Sequence, residues 1–257
     1  MLKRHVYDSS ETLYDFIASE LKRYSEMPVA QHICLSGGST PKAMFRFIIE
    51  RPYRTQIHWH NLHFWWGDER CVPADHPESN YGQAKLLLFD HIDIPEANIH
   101  PIIPPDLGGT KLALPENVCQ QALDDFIADL NKLLEKKSPL HDAFAYPRFD
   151  WVLLGVGEDG HTASLFPADF DDEDNAAALL VTKPGTSEYR ISLSARCIRA
   201  ARRVSYLVTG TAKAKVLAEI FAHTESAQSY PAALIRSSTG ETDYYLDRDA
   251  AELLIKC

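Results

Sequence analysis

The stretch DWVLLGVGEDGHTASLFP (150–167) joins an apolar run to a glycine-rich turn. Its first part, residues 150–156, predicts a buried β-strand, because a short uninterrupted apolar run before turn residues is typical of strands covered on both faces. Its second part contains GVGEDG, which matches the G-x-G-x-x-G pattern of dinucleotide-binding loops. A nucleotide site of that type needs a long helix after the third glycine, and then a second strand that ends in an acid.

The residues after the glycines disfavour a nucleotide site. Pro167 follows Gly160 by only seven positions, which is too close for a full crossover helix. The acids at 171–174 fall in the polar run 168–178, which we predict to be a solvated loop rather than a strand end. We therefore interpret the turn as a strand end that presents Asp159 and His161 at one edge of a sheet.

Predicted strands and helices alternate along the rest of the chain. The predicted strands are 32–36, 62–66, 150–156, 189–194, 203–210 and 243–247, and the predicted helices are 9–27, 41–50, 81–89, 115–137, 211–223 and 248–255. Residues 104–109 and 136–148 are predicted to be loops. This alternation predicts an α/β fold with a mainly parallel sheet and helices on both faces, built as a single domain over residues 1–257.

Composition limits the classes of partner and compartment. The chain has 257 residues and a net charge of −10, which disfavours broad binding to nucleic acid or to an anionic membrane. An anionic substrate would therefore need a local cationic pocket. Five scattered cysteines without a C-x-x-C spacing favour a reducing compartment, and the sequence contains no apolar window of membrane-spanning length. We expect a cytoplasmic protein without a membrane partner.

Four segments that follow predicted strands are predicted to be loops and are expected to meet at the carboxyl edge of the sheet, where ligands bind in open α/β folds. They are GGST (37–40), GDER (67–70), GEDGH (157–161) and TGTAK (209–213). Arg70 suits a phosphate because its planar guanidinium donates two parallel hydrogen bonds, and the neighbouring Asp68 could orient a base or bind sugar hydroxyls. Lys213, in the first turn of a predicted helix, is placed to face an anion.

The GGST segment predicts an anion site at a helix N-terminus. Gly37 and Gly38 let the backbone approach a ligand closely, and Ser39 and Thr40 supply hydroxyl groups. We predict Thr40 to be the N-cap of the following helix. The free N–H groups and the positive end of that helix then suit a phosphate group.

His161 is the predicted general base, because imidazole accepts a proton near neutral pH and either Asp159 or Asp68 could orient it. No G-x-S-x-G elbow supports a serine nucleophile. No metal site is predicted: H-E-x-x-H is absent, and HWHNLH (58–63) is interpreted as the lead-in to the strand 62–66.

Taken together, these segments resemble the 6-phosphogluconolactonases. The resemblance covers roughly residues 10 to 255, and it is carried by LSGGSTP (35–41), WWGDERCVPADHPESNYGQAKLLL (65–88), FDWVLLGVGEDGHTASLFP (149–167), VTGTAKAKVL (208–217) and YPAALI (230–235).

This resemblance implies a modified Rossmann-like fold, which is shared with sugar-phosphate isomerases and deaminases. It also implies that the protein hydrolyses 6-phospho-D-glucono-1,5-lactone without metal or cofactor. It places the water-activating histidine at His161. It also implies that the GGST loop, Arg70 and Lys213 bind the phosphate, with Arg190 as a weaker candidate. The sequence leaves the oligomeric state open between a monomer and a small homo-oligomer.

Two alternatives remain. Glucosamine-6-phosphate deaminases share GSTP, the D-E pair and G-x-x-D-G-H, but their last motif continues A-F-N-E-P. In this chain the corresponding run is ASLFP, so Phe166 stands where those enzymes have a glutamate, and Arg70 stands where they usually have an aromatic residue. Both differences favour the lactonase. A non-catalytic sugar-phosphate sensor on the same fold is the second alternative.

Overall fold

Two sheets organise the computed structural model, which describes residues 3–104, 114–136 and 146–255. The strands are β1 (Lys3–Tyr7), β2 (Gln31–Leu35), β3 (Leu62–Trp66), β4 (Asp68–Arg70), β5 (Trp151–Leu154), β6 (Ala178–Thr182), β7 (Tyr189–Leu193), β8 (Arg203–Val208) and β9 (Glu241–Asp247). The larger sheet has six parallel strands in the order β1-β9-β8-β5-β2-β3. The smaller sheet is antiparallel, in the order β4-β7-β6.

Helices lie at all six predicted places. The helices are α1 (Ser10–Ser25), α2 (Ser39–Glu50), α3 (Tyr53–Gln56), α4 (Asn80–Leu87), α5 (Glu116–Lys136), α6 (Ala195–Arg199), α7 (Ala214–Ala222), α8 (Pro231–Leu234) and α9 (Glu252–Ile255). The short helices α3, α6 and α8 were not predicted. Every residue of β5 and β8 is buried, although successive side chains point to opposite faces, so both faces of the sheet are covered. The predicted α/β fold with a mainly parallel sheet is confirmed. Among the described residues, no helix has the length and apolar character needed to cross a membrane.

The strand order creates a crevice between β2 and β5. From β2 the chain continues outward to β3, whereas from β5 it continues in the opposite direction to β8 and β9. At such a reversal the loops that leave the two neighbouring strands diverge, and the space between them is the usual ligand site of open α/β sheets. The segments GGST and GEDGH follow β2 and β5, so they lie on the two sides of this crevice.

Three local predictions need correction or lie outside the described residues. The segment GDER was expected to be a loop, but Asp68–Arg70 form β4, which pairs with β7. The segment forms a strand because β7 supplies its ladder hydrogen bonds, and the local sequence gives no signal for this pairing. The strand β6, at the end of the predicted acidic loop, was not predicted. The predicted loops 104–109 and 136–148 lie mostly outside the described residues.

The largest fully buried side chains include Trp66, Trp151, Tyr206 and Tyr244, which lie on β3, β5, β8 and β9. The indole N–H of Trp151 donates to the Ser205 hydroxyl at 2.8 Å, so its polar atom is paired within the core. The core therefore supports the strands from whose ends the candidate site is built.

Candidate active site

A pocket opens at the crevice between β2 and β5, and segments distant in sequence line it. The lining includes Gly37, Gly38, Ser39, Thr40, Asp68, Arg70, Asn80, Gly157, His161, Arg190 and Lys213. All four segments singled out from the sequence contribute to it. Asp159 does not line the pocket but contacts His161 from behind.

The backbone of Gly38, not the side chain of Thr40, begins helix α2. Gly38 is the N-cap with φ of +102°, a conformation that side-chain-bearing residues rarely adopt, and no side chain caps this helix. The prediction of Thr40 as N-cap is therefore wrong, because the glycine turns the chain two residues earlier. The Thr40 hydroxyl instead bonds to the Thr209 hydroxyl at 2.7 Å and links the GGST and TGTAK segments. The first N–H groups of α2 remain available to an anion.

Two arginines stand side by side on the small sheet. Arg70 and Arg190 are register partners on β4 and β7, and Arg190 is only 8% exposed. Burial, and then the charge of Arg70, lower the pKa of Arg190. Neither Nε atom has a hydrogen-bond partner among the described residues, although both atoms are buried. Two neighbouring cations with unused donors form a site suited to a multiply charged anion.

Lys213 extends the cationic wall from the other side of the crevice. It is the last residue of the 3₁₀ turn Thr211–Lys213 and the N-cap residue of α7, close to its predicted place in the first turn. Its Nζ lies 4.0 Å from the carboxylate of the largely exposed Glu158. An exposed ion pair of this length holds the lysine weakly, so an anion in the pocket can compete for it.

His161 forms a pair with Asp159. The imidazole Nδ1 lies 2.5 Å from Asp159 Oδ1, and the backbone N–H of His161 also donates to this oxygen, at 3.2 Å. Burial alone would raise the pKa of Asp159, but the charge of His161 and its hydrogen bonds hold that pKa below its usual value. Because an ionised carboxylate only accepts hydrogen bonds, Nδ1 carries a proton, and in the neutral imidazole Nε2 is then the acceptor.

A tight turn holds His161 in place. The N–H of Gly157 donates to the His161 carbonyl at 2.8 Å, and the N–H of Gly160 donates to the Gly157 carbonyl at 3.0 Å. Gly160 has φ of +84°, and a Cβ there would lie 2.3 Å from the Tyr230 ring. The ring of Phe166 packs beside the imidazole, with its centroid 5.0 Å from that of His161.

Asp68 has a different set of partners. It is 5% exposed, and its Oδ2 accepts a hydrogen bond from the Ser164 hydroxyl at 2.6 Å. The hydrogen bond to the imidazole is made by Asp159. Between the two carboxylates that the sequence left open, the geometry therefore favours Asp159 as the group that orients His161, and leaves Asp68 in the pocket wall.

Sequence reasoning included Glu69 in the GDER segment but did not predict that this carboxylate is buried. Glu69 is 1% exposed and accepts hydrogen bonds from the backbone N–H groups of Arg70, Asn80 and Tyr81, each at 2.7 Å. It also accepts one from the Ser79 hydroxyl at 3.2 Å. Burial raises the pKa of Glu69 to about 7, even though the three N–H groups favour the ionised form. Glu69 thus ties the start of α4 to β4.

The run SNY at 79–81 was a usable signal for this arrangement. A serine before a helical segment predicts an N-cap, and Ser79 does cap α4 by accepting from the Gly82 N–H at 2.9 Å. A capped helix start that follows the acids Asp68 and Glu69 closely in the chain indicates that the N-terminus of the helix packs against those acids. Among the described residues, no three His, Cys, Asp or Glu side chains converge as metal ligands would.

Comparison with known proteins agrees with this geometry. A family model described as glucosamine-6-phosphate isomerases/6-phosphogluconolactonase matches residues 7–244. The 6-phosphogluconolactonase of Aggregatibacter actinomycetemcomitans is 42% identical over 248 residues, which are 96% of this chain and 98% of that protein.

Solved structures extend the comparison. The crystal structure of devB protein superposes with a TM-score of 0.84 at 41% identity and covers 98% of this chain and 99% of that one. The 6-phosphogluconolactonase from Trypanosoma cruzi superposes with a TM-score of 0.77 at 30% identity, covering 99% of this chain and 97% of that one. From the extent of these matches, the chain belongs to the glucosamine-6-phosphate isomerase/6-phosphogluconolactonase family.

Proposed function

We propose that the protein hydrolyses 6-phospho-D-glucono-1,5-lactone to 6-phospho-D-gluconate, the lactone-opening step of the oxidative pentose phosphate pathway. The observation that carries the proposal is one pocket with cations on its walls and a histidine–aspartate pair at its edge. Such a pocket suits a phosphorylated substrate that reacts with water. The 42% identity to a 6-phosphogluconolactonase over 96% of the chain supports the same substrate.

The phosphate binds between the N-terminus of α2 and the cations Arg70, Arg190 and Lys213. The backbone N–H groups of 38–40 donate to its oxygens, and the positive end of α2 favours its charge. Because the phosphate is remote from the reacting carbonyl, its binding energy orients the lactone instead of changing its reactivity. The carbonyl carbon C1 is thereby held near His161.

His161 acts as general base. Its Nε2 takes a proton from a water molecule whose oxygen attacks C1, while Asp159 stabilises the resulting imidazolium through Nδ1. The tetrahedral intermediate then collapses with cleavage of the bond between C1 and the ring oxygen. The imidazolium returns its proton to that oxygen, and the new carboxylic acid ionises to give 6-phosphogluconate.

The oxyanion of the intermediate needs hydrogen-bond donors close to C1. The N–H groups of Gly157 and Gly160 do not supply them, because both are engaged inside the 157–160 turn. The N–H groups still available to the pocket are the donors we assign to this charge.

A coupled assay tests the proposal. Freshly generated 6-phosphogluconolactone is supplied with 6-phosphogluconate dehydrogenase, and the uncatalysed hydrolysis rate is subtracted. Acceleration by the protein supports lactone hydrolysis. Binding of 6-phosphogluconate without turnover would contradict it in favour of a sugar-phosphate sensor. Ammonia release from glucosamine 6-phosphate would contradict it in favour of a deaminase. The apolar ring of Phe166 beside His161 argues against a deaminase.

The proposal includes catalysis without metal or cofactor, by a cytoplasmic monomer or small homo-oligomer. The cysteines at 34, 71, 119 and 197 are free thiols, which fits a reducing compartment. Full activity after treatment with a chelator would support catalysis without metal. The mass measured by light scattering tests the oligomeric state.

A further inference from the structure

Asn80 is a pocket residue that the proposed mechanism does not use. It is 5% exposed and is the first residue of α4. Its backbone N–H donates to Glu69 at 2.7 Å, and its side-chain Nδ2 donates to the backbone carbonyl of Asp68 at 2.9 Å. Because the amide nitrogen must face this carbonyl, the amide oxygen Oδ1 is directed the other way. The side chain is therefore held in one orientation before any ligand binds.

The amide oxygen of Asn80 lies against Gly37, the first residue of the GGST segment. A Cβ built on Gly37 would lie 1.8 Å from Oδ1, so only glycine leaves room for the amide there. Asn80 and Gly37 both line the pocket. Within the described part of the chain, Oδ1 accepts no hydrogen bond, which leaves an acceptor with unused capacity at the pocket wall.

Asp68 supplies a second acceptor in the lining of the same pocket. Its Oδ2 is engaged by Ser164 at 2.6 Å, while its Oδ1, among the described residues, has only a long contact of 3.5 Å with Asn80 Nδ2. Two oxygen acceptors with unused capacity in one pocket fit ligand groups that donate. The carboxylate of Asp68 repels phosphate oxygens, whereas the hydroxyl groups of a ligand can donate to both acceptors.

We propose that Asn80 and Asp68 form a hydroxyl-binding subsite that selects polyhydroxylated lactones. The inference rests on the proposed lactone hydrolysis and names its specificity determinant. The cations bind the phosphate end of the substrate, and His161 faces the lactone carbonyl. The subsite binds the ring hydroxyls that lie between the phosphate and the carbonyl. Glu69 contributes indirectly as a positioning residue, because it fixes the backbone from which Asn80 projects.

Binding of two probes tests the subsite. Calorimetry compares 6-phosphogluconate, which carries hydroxyls, with inorganic phosphate, which occupies only the cationic end. We expect Asn80→Ala to weaken 6-phosphogluconate binding about threefold to tenfold, the effect of one lost neutral hydrogen bond, and to leave phosphate binding unchanged. Equal losses for both probes, or no loss for either, would overturn the inference.

The matched control is Asn98→Ala. Asn98 is also buried, at 7% exposure, and donates to the backbone carbonyls of His60 and Leu62 at 2.9 and 3.1 Å, but it does not line the pocket. Its removal costs a comparable set of hydrogen bonds elsewhere. We expect this variant to bind both probes as the wild type does, and selective loss of 6-phosphogluconate binding here would also count against the subsite.

Monodeoxy lactones separate this inference from the proposed function. Wild-type kcat/KM is measured for 6-phosphogluconolactone and for its 2-, 3- and 4-deoxy analogues. We expect at least one analogue to be disfavoured about threefold to tenfold, and Asn80→Ala to lose that preference. Hydrolysis of all four lactones at equal rates by the wild type would overturn the subsite but not the lactonase. Failure to hydrolyse any of them would overturn the lactonase itself.

Discussion

The titration of Glu69 should make the stability of this protein depend on pH in a defined window. Glu69 is 1% exposed, and its burial raises its pKa from 4.5 to about 7. Hydrogen bonds from the N–H groups of Tyr81, Asn80 and Arg70 partly oppose this rise, and the neighbouring charge of Asp68 adds to it. The carboxyl group therefore binds a proton more tightly in the folded chain than in the unfolded chain.

The sign and size of the effect follow from this difference. Below pH 4.5 the group is protonated in both states and costs nothing. Between pH 4.5 and about 7 the unfolded chain releases the proton first, so the free energy of unfolding falls as pH rises, and it levels off above that range. At about 1.4 kcal/mol for each pKa unit, the loss attributable to Glu69 amounts to roughly 3 kcal/mol.

The variant Glu69→Gln isolates this contribution, because it keeps the size of the side chain and cannot titrate. Its amide group faces backbone donors, which adds a penalty that does not vary with pH. Urea unfolding of both proteins from pH 4.5 to 8 gives the difference in unfolding free energy at each pH. The other carboxyl groups titrate in both proteins, so their effects cancel in this difference. We expect the unfolding free energy of the wild type to fall by about 3 kcal/mol relative to that of the variant between pH 4.5 and about 7. A flat difference would refute the reasoning and would mean that the hydrogen bonds fully compensate the burial.

Four further substitutions test the assigned roles. His161→Ala should lower kcat by a factor on the order of 10² to 10⁴ and keep the affinity for 6-phosphogluconate, so wild-type turnover would contradict the general-base role. Asp159→Asn should lower kcat by a smaller factor, measured under the same conditions, because the imidazole keeps a partner but loses its negative charge; no change would remove Asp159 from the mechanism. Arg70→Ala should raise KM about tenfold or more with little change in kcat, and an unchanged KM would exclude it from the phosphate site. Gly160→Ala should lower the unfolding free energy by about 1–3 kcal/mol, because its Cβ meets the Tyr230 ring at 2.3 Å and the backbone needs φ of +84°; a thermal unfolding midpoint equal to that of the wild type would refute this.

Local sequence patterns predicted most of the central sheet and its helices. The apolar runs at β2, β3, β5 and β8 carried their own signal, because these strands are largely buried and most of their residues are apolar. The three-residue strand β4 had no such signal. Its polar residues form a strand only because β7, more than a hundred positions later, supplies the ladder.

The starts of α1 and α2 show what a local pattern can predict and what it misses. Ser9 caps α1 by accepting from the Thr12 N–H, as the sequence pattern indicates. At α2, Thr40 has the expected side chain for a cap, yet the positive φ of Gly38 starts the helix earlier. The sequence does not reveal which residue of the GGST segment adopts a positive φ, since the surrounding loop decides it.

The sequence alone determined the strand and helix periodicities, the glycine turns at strand ends, and the closeness of His161 to Asp159, because all of these depend on residues a few positions apart. Only the tertiary structure decided that β2 and β5 are neighbours, that Arg70 pairs with Arg190, and that Asn80 and Asp68 share one wall of the pocket. These arrangements join residues that are distant in the chain. Their geometry depends on which strands pack side by side, and that order is set by the burial of the whole core rather than by any local pattern.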